Sequence, residues 1–202
     1  MFKYMMSNPT ELVKYIVLIV LFIVVLIIYR KTKTGDGRVF GNTKAENMLK
    51  REYSVINEET FSPDKDNYRL IVGMCMRIQT SLEKEKSPND AFLAMDEVKR
   101  NVMTLGYLFE DSQVALSNFF RSNGEPLLSA ADKAVKDVIG GEIAEIVTSA
   151  FNMFDENNED VSVDENEVKR LDEKYRKIMD SDKQKIYTEA ANYIRDNKIK
   201  LI

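Results

Sequence analysis

The chain contains no histidine and one cysteine, Cys75. Without histidine it lacks the usual general base at neutral pH, the commonest metal ligand and every His-containing catalytic triad. A lone thiol cannot close an intramolecular disulfide, so the fold must be held by its core, and a reducing compartment fits. Cys75 lies between Met74 and Met76 in an apolar stripe, where a buried structural cysteine is expected rather than a nucleophile lacking a base. There is no glycine-rich phosphate loop and no cysteine cluster, and no Asp/Glu pair stands out. The expectation is a protein that is not an enzyme and takes no cofactor and no catalytic metal. Period-two alternation is also missing, as are internal repeats, so an all-α fold is expected.

What is present begins with a long apolar run. From Tyr15 to Tyr29 every residue is uncharged and nearly all are Ile, Val or Leu, a composition apolar on all sides that matches lipid. That run covers only about 22 Å as a helix, so Leu12 and Val13 extend it while Lys14 snorkels. Asn8, Pro9 and Glu11 mark a helix start, and Tyr15 and Tyr29 suit the two interfaces. The run closes on Ile27, Ile28, Tyr29, Arg30 and Lys31 instead of small residues, which reads as an uncleaved anchor rather than a signal peptide. Residues 1–11 are then a short flank and 12–29 a transmembrane helix. Arg30, Lys31, Lys33 and Arg38 follow the run, whereas Lys3 and Lys14 with Glu11 lie on its other side. The positive-inside rule predicts a single-pass protein of the cell membrane with its C-terminal domain cytoplasmic and the lipid bilayer as a partner.

Charge divides the chain at the same place. Residues 1–51 hold 9 Lys+Arg against 3 Asp+Glu, whereas residues 52–202 hold 20 against 30, a balance of +6 and then −10. Such a domain is not expected to bind nucleic acid directly, because phosphate neutralisation needs clustered cations. Residues 30–61 read as a basic juxtamembrane linker, rich in glycine up to Gly41, with a lead-in helix, and 62–202 as an acidic all-helical domain. Cap patterns at Ser62-Pro63 and Ser87-Pro88 predict helices over 63–86 and 88–104, the second ended by Gly106. Further helices are expected over 112–121, from Pro126 to the Gly140-Gly141 break, and over 142–154. Two last helices, 165–179 and 182–197, complete a bundle-like domain.

The segment Gln113 to Gly124 resembles a signature of the bacterial family that includes the DNA-mimic proteins, mostly of unknown function. The family's pattern is Asn-Gly-Gly-Phe, any residue, Gln-Phe-Phe, any residue, Asn or Ser, Gly. Phe119 and Phe120 match it, as does Gly124 with one residue inserted before it, Asn118 stands where Gln is usual, and Val114, Ala115 and Leu116 replace Gly-Gly-Phe. The chain's end is similar as well, with Leu171, Asp172 and Tyr175, then Tyr193, Ile194, Arg195, Asp196 and Asn197. The resemblance, over roughly 65–200, implies an all-helical and often dimeric domain, so a homodimer is among its expectations. One branch of that family copies the charge of duplex DNA and binds a DNA-binding regulator. A mimic needs carboxylates spaced like phosphates, which Asp and Glu at helical steps of three or four supply.

The densest acidic stretch is Asp155, Glu156, Glu159, Asp160, Asp164, Glu165 and Glu167, taken as the candidate partner-binding surface. It has some features of an EF-hand, but the turn glycine is missing and the twelfth position falls on Asn166, so a solvated connection is favoured over a calcium site. The functional expectation is a membrane-anchored acidic helical domain that recruits or sequesters a basic protein partner. The alternative is a structural membrane component of an envelope or larger assembly.

Overall fold

The computed structural model describes residue 41 and residues 43–155 and 163–202. The expected anchor at 12–29 and most of the basic linker lie outside the described residues. Among the described residues no helix is long and apolar enough to cross a membrane. Thr43–Ile202 forms one compact unit, all-helical among the described residues.

The helices are α1 (Thr43–Glu52), α2 (Asn67–Leu82), α3 (Pro88–Ala94), α4 (Glu97–Asp111), α5 (Leu116–Ser122), α6 (Leu127–Val138), α7 (Gly141–Phe154), α8 (Glu165–Asp196) and α9 (Lys198–Leu201), with a short 3-10 turn at Glu58–Phe61. At the centre lies α2, whose residues Leu70 to Met76 are all buried. Ile71, Met74, Cys75, Ile78 and Leu82, at steps of three and four, are therefore one side of a helix covered on several sides, with α1, α4 and α8 packed around it.

Two glycines set how closely the layers approach α2. A side-chain carbon at Gly106 would lie 2.3 Å from Cβ of Cys75, so the glycine lets α4 press directly on α2. Gly106 thus sits inside α4 and does not end a helix as expected from sequence. A carbon at Gly73 would lie 2.3 Å from the ring of Tyr53, which stacks onto the bare backbone there. Leu49, Tyr53 and Phe61 are all buried, so the stretch read as a lead-in belongs to the packed unit.

Helix boundaries differ from the expected ones for local reasons. Ser62 and Pro63 do not start α2; Asp66 does, its carboxylate accepting from Arg69 N at 2.7 Å. The helix expected over 88–104 is two, because Met95 is extended and Asp96 caps α4 by accepting from Val98 N at 2.9 Å. The expected helix at 112–121 begins only at Leu116. Gly140 (φ 69°) and Gly141 (φ 62°) make the predicted break between α6 and α7, since both adopt the left-handed region where a side chain is strained. The two helices expected at the C-terminal end are one, α8, of 32 residues.

Candidate partner-binding surfaces

The acidic stretch is only partly described: Glu156, Glu159 and Asp160 lie outside the described residues. Asp155 ends α7. Asp164 caps α8, accepting from Asn166 N at 2.9 Å. Both carboxylate oxygens of Glu165 accept from Nη2 of Arg121 of α5, at 2.7 and 2.9 Å. Glu167 is bound by Arg170 one turn on, which holds its carboxyl below the usual range. Three of the candidate carboxylates are thus already engaged within the molecule. The two exposed ion pairs among these are weak, so a partner can exchange them at small cost.

The residues of the resemblance clamp the two ends of this acidic connection. Phe119 is buried edge-on against Phe120, and Phe120 stacks on Phe154 at the end of α7, with ring centroids 5.5 Å apart. Arg121 lies 5.3 Å over the Phe154 ring while pairing with Glu165 at the start of α8. Asn118 is half-buried and Gly124 exposed, in the turn before α6. The C-terminal similarities tie α8 down. Leu171 is buried, and Asp172 receives the N–H and hydroxyl of Ser117 at 2.8 and 2.7 Å, capping α5 from another helix. Arg195 donates to the Phe61 carbonyl at 3.2 Å and to Asn67 at 2.9 Å, and Asn197 donates to the Tyr193 carbonyl at 2.9 Å. These residues are used on the fold itself.

A partly buried polar layer runs beside α8. The Tyr68 hydroxyl donates to Glu110, a carboxylate 1% exposed, and accepts from Gln113 at 2.5 Å. Tyr187 stacks on Tyr68 at 5.0 Å, and Tyr175 shares a 2.6 Å hydrogen bond with Ser112. Burial raises the phenols of Tyr68, Tyr187 and Tyr175, the last to about 12. Burial likewise raises the thiol of Cys75, which donates to the Met103 carbonyl at 3.2 Å and so is inert as a nucleophile at neutral pH. Among the described residues no group of three or more Cys, Asp or Glu is placed to hold a metal ion.

A groove of about 350 Å³ opens between the C-terminal part of α2, α3, α4 and the turn before α6. Phe92, Met103, Tyr107 and Leu127 give it apolar walls, and Glu83 and Glu125 stand among its lining residues. Among the described residues no lysine or arginine lines it. Glu83 accepts from the Gln79 amide at 3.1 Å and Glu125 from the Ser129 hydroxyl at 2.7 Å, both neutral donors. Burial first, then Cys75 and the carboxylates of Asp111, Glu83 and Glu46, push the Tyr107 phenol up. Tyr107 lies past the helix end expected at Gly106, so nothing in the sequence places it on one wall with Phe92 and Met103. No local signal marks the groove, which exists only once α4 runs past Gly106 beneath α3.

Compared with models of known families, with curated proteins and with solved structures, the chain matches none.

Proposed function

We propose that the chain is a membrane-tethered interaction protein whose acidic helical domain captures a basic protein partner at the cytoplasmic face. The observation that carries this reading is the charge division: +6 over residues 1–51, around the apolar run, and −10 over the remaining 151. A field of one sign steers an oppositely charged partner and suppresses like-charged ones. Support also comes from economy of chemistry, since the buried Tyr175, Ser112 and Ser117 and the half-buried Asp172 are occupied by one another. The resemblance to DNA-mimic proteins carries less, because its residues serve packing and capping.

The test has two arms. The full-length protein should stay with membranes through high salt and alkaline carbonate, and its domain should resist protease added outside intact cells. Partner binding should weaken steeply as salt rises, and further when Glu156, Glu159 and Asp160 are neutralised together. Duplex DNA that competes for the partner without binding the domain would make the surface a DNA mimic. Affinity flat across the salt series and the substitutions removes the electrostatic reading.

A further inference from the structure

Grooves on the described surface differ in charge. The one beside Leu201, about 430 Å³, is lined by Arg77 and Lys99 as well as Glu85 and Asp96. The one at the Gly140-Gly141 turn mixes Lys185 with Glu142 and Glu189. The α2–α3–α4 groove has acids alone over an apolar floor.

We propose that this groove binds a short extended segment of a partner protein, one that sets a bulky apolar side chain next to a lysine or arginine. This rests on the reading of the domain as a receptor for a basic partner and names where that partner is held. The volume of about 350 Å³ is at the small end of ligand pockets and takes one or two large side chains, not a folded surface. Phe92, Met103, Tyr107 and Leu127 supply the apolar contact. Glu83 and Glu125 receive the cation, each already accepting from a neutral donor, Gln79 and Ser129 respectively. An apolar side chain seated between them excludes water and so strengthens each charge pair. With no cation among the described residues of its wall, the groove disfavours phosphate groups and acidic peptides.

The experiment uses the full-length protein in detergent micelles against an array of acetylated hexapeptides, each fixing one lysine or one glutamate beside every other residue type. The best peptide is then titrated against the native protein, Glu83→Lys with Glu125→Lys, Asn89→Trp, and Glu165→Gln with Glu167→Gln. Asn89 is exposed on the groove wall, so a tryptophan there fills the groove without touching the core. Expected is selection of lysine beside an aromatic or large aliphatic residue. Binding should be weaker by about tenfold or more in both groove variants, unchanged in the Glu165/Glu167 variant, with circular dichroism constant throughout. Selection of acidic or wholly polar peptides, or native affinity in the groove variants, overturns the proposal. Loss confined to the Glu165/Glu167 variant overturns it too while sparing the reading of a basic partner, which then belongs to the acidic connection. Binding of no peptide also overturns it, and the partner salt series decides the broader reading by itself.

Discussion

Tyr175 illustrates how a single side chain ties the fold to pH. In the unfolded chain its phenol ionises near 10. In the folded protein burial holds the proton to about 12, the Ser112 hydrogen bond acting the other way. The folded state therefore binds the proton more tightly. Its stabilising contribution is complete below pH 10 and is lost as pH rises through 12, about 2 to 3 kcal/mol for a shift of this size. Tyr53, also raised to about 12, adds in the same direction. We expect cooperative alkaline unfolding between pH 10 and 12, with tyrosinate absorbance and loss of helix rising together. Tyr175→Phe should flatten that limb and cost about 1 kcal/mol at neutral pH, where Ser112 loses its partner. Tyrosinate formation well ahead of unfolding would show that these phenols are not held by the fold. The resemblance names Tyr175 and helical spacing makes it an apolar position, but neither indicates that its hydroxyl meets Ser112. Cys75 is different: its neighbours Met74 and Met76 and the absence of histidine already indicate a buried, inert thiol.

Helices are legible where apolar spacing and caps agree, and they mislead where one acts without the other. The apolar stripe of α8 stops after Tyr175 and resumes at Ile186, with Ile178 and Met179 only half-buried between. That gap reads as two helices, yet Asp180, Ser181, Asp182 and Lys183 include no glycine or proline, and nothing breaks the backbone ladder. A solvated stretch three turns long is bridged by helix propensity, with both ends anchored in the core. At Gly106 the reverse holds, because a residue that commonly ends helices is needed for close approach to Cys75. Ser181→Pro separates the two readings of α8. In a continuous helix it removes a backbone hydrogen bond and clashes with the preceding turn, costing about 3 kcal/mol or more. Ser181→Ala should be near neutral, since the residue is exposed. Denaturant titration of both variants checks this, and a tolerated proline would mean that α8 is divided in solution.

For the whole molecule the question is where the folded unit starts. A boundary at 62 follows from the first strong cap pattern in the sequence, whereas Thr43–Ile202 is the compact unit in the structure. The difference is physical, because α1 is only 10 residues long and polar on average, and its role depends on partners 20 residues away. Leu49 is buried, the Tyr53 ring lies on Gly73, Phe61 is buried, and Arg77 donates to the Tyr53 and Ser54 carbonyls at 3.0 and 2.7 Å. Burial of each large apolar side chain contributes about 1.5 to 3 kcal/mol. Three of them together rival the whole stability of an ordinary domain, about 5 to 15 kcal/mol. A chain starting at Thr43 should therefore unfold cooperatively with the full helical signal. One starting at Ser62 should lose most of its stability, aggregate, or show a shallow transition, because it exposes the face of α2 that Tyr53 covers. Thermal melts of the two fragments by circular dichroism make the comparison. Equal midpoints would mean that α1 and Tyr53 add nothing to the core and that the stretch before Ser62 is linker after all.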